Sequence, residues 1–171
     1  MKRFRGFGPL LALALGAALA GCATAPTTKD YSAFRAESPR SILVVPALNN
    51  TLNVPAPDFF LSTISRPFAE RGYYVFPAHM VKRTMEDGGL GDPGLIHSTD
   101  ASRLHRLFGC DSVLYVTIQE WESKYVVLAT QTTVSFDYSL KSCKTGDVLW
   151  GTPREWSIVL RRTAAVILWE I

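Results

Sequence analysis

The chain is poor in the residue patterns that carry most enzymatic chemistry. Its 171 residues include three histidines and three cysteines. His79, His97 and His105 are scattered and form no HExxH pair. With no CxxC or HxxxH spacing, a metal site is the weakest reading of these residues. No GxSxG elbow presents a serine nucleophile. The run Gly88-Gly89-Leu90-Gly91-Asp92-Pro93-Gly94 lacks the Gly-Lys-Ser/Thr that completes a phosphate loop and reads as a mobile loop. No repeat period is visible. No cofactor is expected.

Long hydrophobic runs are missing too. Pro9 to Ala20 is apolar and uncharged, too short for a mature transmembrane helix, which needs about 20 residues. It suits the apolar core of a signal peptide, with Lys2, Arg3 and Arg5 as the basic region before it. Leu19-Ala20-Gly21-Cys22 follows and fits the bacterial lipobox at all four positions. Small residues enter the peptidase cleft, Leu19 fills an apolar pocket, and the Cys22 thiol accepts a diacylglycerol. Residues 1–21 therefore read as a lipoprotein signal peptide, and Cys22 as the acylated residue, carrying diacylglycerol and N-acyl lipid. Stable anchoring takes more than one acyl chain, and a triacylated cysteine supplies it. Ala23, in place of the Asp that retains enterobacterial lipoproteins in the inner membrane, favours the outer membrane, periplasmic face.

An excess of one charge is also absent. The sequence carries 18 Lys+Arg and 15 Asp+Glu. Cleavage before Cys22 removes three basic residues, leaving 150 residues of zero formal net charge. No basic surface for nucleic acid is supported. That length suits one domain. With Cys22 committed to lipid, Cys110 and Cys143 remain in an oxidising compartment, either bridged or as two buried thiols.

Ala23 to Arg40, rich in Ala, Thr, Ser and Pro, reads as a flexible tether. Residues 41–160 read as the single domain. Ser41-Ile42-Leu43-Val44-Val45-Pro46 is a strand buried on both faces. Asn49-Asn50-Thr51-Leu52-Asn53 is a polar loop at its carboxyl end. Pro57-Asp58 opens a helix with Phe60, Ile64 and Phe68 as its apolar stripe. Tyr73–Pro77 is a strand, and Val81 and Met85 mark a short helix. Leu90 to His97 reads as loop. Ser98 or Thr99 caps the next helix, with Asp100 in its first turn, and Gly109 stops it. Ser112–Trp121 is a third strand, Glu122-Ser123-Lys124 a turn, and Tyr125–Leu140 a long strand. Lys144-Thr145-Gly146-Asp147 is a hairpin turn, and a fifth strand starts at Val148 and can run through Trp156 to Leu160. The order β-α-β-α-α-β-β-β predicts an α/β (α+β) fold with a mixed sheet and helices mostly on one face. On this plan Cys110 and Cys143 fall at one end of an antiparallel pair, within bridging reach.

His97, Ser98 and Asp100 have triad residue types, but adjacency in sequence is not triad geometry. Glu120 and Glu122 flank Trp121, as acids on a solvated strand edge do. Trp121 and Tyr125 can anchor a protein partner or pack in the core. Asn49, Asn50 and Asn53 can line a contact surface or satisfy turn backbone; the second is favoured.

Several segments together resemble a family of bacterial lipoproteins of unknown function, that of the meningococcal lipoprotein antigen. They are Val44-Val45-Pro46-Ala47-x-Asn49-x-Thr51, Arg71-Gly72-Tyr73-Tyr74-Val75-x-Pro77, Phe108-Gly109-Cys110-Asp111-Ser112-Val113-Leu114-Tyr115, Ile118-x-x-Trp121 and Thr145-Gly146-x-x-Leu149-Trp150. Pellicle-polysaccharide export lipoproteins of the PelC type look like more distant relatives. The resemblance implies a fold similar to the amino-terminal domain of TolB and a non-enzymatic, accessory role. That role lies beside a curli-channel-like lipoprotein in envelope transport or secretion, with a homo-oligomer as a further option. No catalytic residue carries over. The chain departs from the pattern at residues 161–171, whose apolar end reads as a truncated or frameshifted product, or as a segment that a partner buries. Three functions follow, in this order: an assembly lipoprotein that binds envelope proteins, a small-ligand or polysaccharide binder, and a hydrolase resting on His97, Ser98 and Asp100.

Overall fold

The structure is a computed structural model that describes residues 30–126, 129–151 and 157–163. Cys22, the tether up to residue 29, Trp156 and the apolar end from residue 164 lie outside the described residues. No described helix is long and apolar enough to cross a membrane. The described residues from Tyr31 onward form one compact unit.

The elements in chain order are α1 (Ser32–Glu37), β1 (Ser41–Val44), β2 (Leu48–Asn49), α2 (Ala56–Ala69), β3 (Tyr74–Val75), α3 (Ala78–Asp87), α4 (Pro93–Ser98), α5 (Ala101–Phe108), β4 (Ser112–Val126), β5 (Ala129–Ser142), β6 (Val148–Gly151) and β7 (Ser157–Thr163). They build one seven-stranded mixed sheet of order β3-β1-β4-β5-β6, with β2 on β4 and β7 on β5. β1 is parallel to β3 and β4, and β2 is parallel to β4. The β4–β5 and later pairings are antiparallel. The expected parallel start and meander finish are both present.

Alternation along β1 and β4 sends apolar side chains to both faces. Leu43, Val45, Val113 and Tyr115 meet Val81 and Met85 of α3, Ile96 of α4 and Leu104 of α5. Ile42, Val44, Leu114, Val116 and Ile118 meet Phe60 of α2 on the other side, with Phe34 of α1 packed against that cluster. The helices therefore divide between the faces rather than gathering on one. Strands that are apolar on both sides need cover on both sides.

Several boundaries differ from the sequence reading, each for a local reason. Ser32–Glu37 is helical, not tether: Phe34 packs edge-on against Tyr73, and Glu37 accepts a 3.1 Å bond from buried Ser142. The loop expected over Leu90 to His97 contains α4, whose Asp92 carboxylate accepts from the Leu95 amide ahead of Pro93 at the first turn. The cap of α5 is Asp100, accepting from the Ser102 amide, while Ser98 closes α4. Gly109 ends α5 in the left-handed region, φ +66°, as expected. Glu122-Ser123-Lys124 is not a turn: β4 continues through it, paired with Thr133, Thr132 and Gln131. A bulge between Ile118 and Glu120 shifts the alternation by one, which turns Trp121 onto the α2 face. β6 stops at Gly151, and β7, which runs to Thr163 rather than Leu160, pairs with a different stretch of β5.

Candidate functional site

The sheet has two unlike ends. At the end where β4 begins, Cys110 and Cys143 are fully buried and joined as a disulfide, with Cα atoms 6.0 Å apart. Beside it, Asp111 Oδ2 accepts from the Arg40 amide, the Ser41 amide and the Ser41 hydroxyl, each at 3.1 Å. The Ser41 hydroxyl oxygen in turn accepts from the Asp111 amide. Burial opposes the charge, but these donors, with Lys144 3.5 Å away, outweigh it and hold the Asp111 carboxyl below its ordinary value. This is a brace between β1 and β4.

The other end holds the Asn49–Asn53 loop, at the carboxyl ends of β1 and β2, where α/β sheets usually present their sites. Asn49 Oδ1 accepts from the Thr51 amide and hydroxyl at 3.1 and 2.8 Å, and Asn49 Nδ2 donates to the Asn53 carbonyl at 2.9 Å. The Asn50 side chain donates to Gln119, which donates to Asp137. Asn49 thus holds the loop to itself, and Asn50 ties it to the Gln119 side chain of β4. Asn53 Oδ1 is buried with no hydrogen-bond partner among the described residues.

Besides Asn50, the loop and the residue after it expose apolar side chains. Leu52 is 101% exposed and Val54 83%. Just beyond, Phe59 lies off the buried stripe of α2, 56% exposed, with its ring stacked on Trp121 at 6.2 Å. Trp121 in turn meets Phe136 edge-on at 6.1 Å. Trp121 therefore links core to surface, while Tyr125, 74% exposed, sits near the tip of β4, well past β2. The structure joins Trp121 to Phe59 but does not bring Tyr125 to the asparagines. Sequence reasoning missed Leu52, Val54 and Phe59. The available signal was that Phe59 falls outside the Phe60, Ile64, Phe68 spacing.

A groove of about 570 Å³ opens at the same end. Asn49, Val54 and Asp58 line one part, and Lys82, Glu86 and Asp92 another. Its mixed charges and apolar wall could take a small polar ligand. A shallower hollow of about 240 Å³ lies beside His97, Tyr115, Asp137 and Lys141. His97 Nε2 donates to the Pro46 carbonyl at 3.1 Å, and the ring packs edge-on against Tyr115. Burial pulls the His97 pKa down against the Pro46 bond, and Lys141 lowers it further.

The triad types do not converge. Ser98 Oγ donates to the Leu95 carbonyl, Asp100 caps α5, and His97 bonds to Pro46. His105 Nδ1 donates to the Cys110 carbonyl at 2.7 Å. Glu122 pairs with Lys124 at 3.0 Å on a solvated edge. Among the described residues, no three His, Cys, Asp or Glu side chains gather as a metal site.

Fold and site first define a class: a mixed-sheet domain covered on both faces, with its polar loop consumed by its own architecture and an apolar rim beside it. The family model described as "Putative lipoprotein GNA1162-like" matches residues 29–159, and the chain belongs to that family. It is 39% identical over 142 residues to the "Putative lipoprotein NMB1124/NMB1162" of Neisseria meningitidis serogroup B. That match covers 82% of this chain and 66% of the relative, so the chain spans a little under two thirds of the relative's length. The crystal structure of lipoprotein GNA1162 from Neisseria meningitidis superposes with a TM-score of 0.65 at 37% identity, covering 74% of this chain and 85% of that one. A dodecameric PelC variant from Paraburkholderia phytofirmans gives a TM-score of 0.48 at 18% identity, covering 73% and 74%.

Proposed function

We propose that the chain is a lipid-anchored, non-enzymatic protein of the outer membrane. Cys22 holds it at the periplasmic face, and it serves as an accessory or assembly component of an envelope transport or secretion system. Its proposed partners are other envelope proteins, a curli-channel-like lipoprotein among them. The observation that carries this reading is the exposed Phe59 ring stacked on Trp121, with Leu52 and Val54 exposed in the segment before α2. Exposed apolar clusters of this kind mark contact surfaces, and Trp is enriched where partners bind. Membership in a lipoprotein family agrees with the lipobox.

The test is mild crosslinking of intact envelopes followed by capture of the chain. Envelope proteins should co-purify with wild type and fall away with Phe59→Ser/Val54→Ser, two exposed changes that leave the core intact. Capture that yields no envelope protein, or that the double substitution leaves unchanged, overturns the proposal. Cys22→Ser should move the chain from the membrane to the soluble fraction.

The second reading is a small-ligand or polysaccharide binder, favoured by the groove that Asp58, Lys82 and Glu86 line with Asn49. Cell-surface glycans at millimolar concentration should then raise the melting temperature; no shift argues against it.

A further inference from the structure

β4 is longer than the sheet beside it. β1 covers Ser112 to Leu114 and β2 covers Thr117 and Ile118. Past Ile118, β4 runs on to Val126 paired with β5, and among the described residues no strand lies on its other side. The result is an arm with an open edge, Glu120-Trp121-Glu122-Ser123-Lys124-Tyr125. An open edge presents a row of backbone donors and acceptors to any extended partner. Proteins usually blunt such edges with charge, and Lys124 alone would do so.

The charges here do something more specific. Glu120, Glu122 and Lys124 share one face of the arm, and Trp121, Ser123 and Tyr125 the other, where Ser123 lies 3.0 Å from Thr132. An antiparallel copy of the same edge, centred on Ser123, places Glu122 opposite Lys124 of the copy and Lys124 opposite its Glu122. It also places Trp121 opposite Tyr125 twice, with Ser123 facing itself on the two-fold axis. Directly opposed unlike charges and aromatics are the favourable cross-strand pairs. Neighbouring registers match less well: centring on Glu122 opposes Glu120 to Lys124 twice but sets two glutamates together on the axis and Trp121 against Ser123, and centring on Lys124 opposes two lysines. Of these registers, the one centred on Ser123 pairs charges and aromatics with no like charges opposed, and self-complementarity of this kind is the signature of an isologous contact.

We infer that the β4 edge is a self-association surface, and that its occupant is the β4 edge of a second copy of this chain, antiparallel and centred on Ser123. This deepens the protein-contact reading and rests on it, but its readout is separate: the envelope capture above reports other proteins, whereas the following experiment reports only pairs of this chain.

Residues facing each other across an antiparallel pair have Cα atoms about 4.5–5.5 Å apart, within disulfide reach. The full-length chain carrying Ser123→Cys, expressed in its own envelope and extracted in detergent, should therefore run mainly as a disulfide-linked dimer on a non-reducing gel. Ser62→Cys, exposed on α2, reports random collisions and should stay monomeric. In the Ser123→Cys background, Glu122→Lys should lower the linked fraction about fivefold, since two lysine pairs now oppose each other. Adding Lys124→Glu should restore it. A monomeric Ser123→Cys chain overturns the inference. So do equal linkage of both cysteines, linkage to a different protein, or no rescue by the charge exchange.

Discussion

Asp111 offers the most direct test of how this domain is held together. Its Oδ2 accepts three hydrogen bonds that tie the start of β1 to the start of β4, two from backbone amides and one from the Ser41 hydroxyl. Hydrogen bonds to a charged group contribute about 1.5–3 kcal/mol net. Arg40 is exposed and Ser41 half-buried, so water can replace part of what is lost and the lower half of that range applies. Asp111→Asn keeps the shape and removes the charge. It should cost about 1.5–2 kcal/mol at pH 7, a fall in melting temperature of about 3–8 °C for a chain of this size. Lys144 contributes little: the pair is 3.5 Å apart with half of the lysine side chain exposed, so Lys144→Ala should cost less than about 1 kcal/mol.

The pH dependence gives the sharper discrimination. The Asp111 pKa is lower in the folded protein than the ordinary aspartate value of 3.8. Its stabilisation is therefore complete above that value and declines as the pH falls below it towards the folded pKa. Chemical denaturation of wild type and Asp111→Asn in mild detergent should show the full gap at pH 7 and a narrowing gap below pH 3.8. Other carboxylates cancel in the difference. A variant as stable as wild type at pH 7, or a gap equally wide at pH 3, would refute the account of the brace.

Three further predictions concern the same framework. Gly109→Ala should destabilise by about 1–2 kcal/mol on thermal unfolding: φ is +66° and nothing lies within 4 Å of an added Cβ, so the cost is conformational alone. The joint change Cys110→Ala/Cys143→Ala should cost about 3–4 kcal/mol in urea unfolding, the loop-closure value for the 33-residue separation of the pair. Leu104→Ala, which removes a fully buried side chain from beneath α5, should cost about 3 kcal/mol, measured by the same denaturation.

The parts of the fold that a sequence can carry are those with local causes. Gly109 and Gly146 end a helix and turn a hairpin because only glycine takes their backbone angles easily, and both are legible. Phe60, Ile64 and Phe68 announce the buried face of α2 by spacing alone. What was illegible depends on tertiary context. The end of a segment read as loop becomes α4 because Asp92 and Pro93 start a helix that Ile96 then buries. Glu122-Ser123-Lys124 looks like a turn by composition, but the ladder to β5 holds it extended. The same limit applies to the site. Trp121 was a candidate anchor, but the bulge before it, which alone turns it onto the α2 face towards Phe59, leaves no mark in the alternation read up to Gln119.

The two ends of the sheet divide their work in a way that bears on the proposed anchoring. The chain enters the domain through α1, which lies against β6 and hands Glu37 to buried Ser142. That is the braced end, where the disulfide and the Asp111 network cross-tie β1, β4 and β5. The carboxyl ends of β1 and β2, with Leu52 and Val54 turned out, and the arm beyond Ile118 lie at the other end of the same strands. On the proposed reading, the contact surface thus lies at the end of the sheet away from the one where the chain enters the domain.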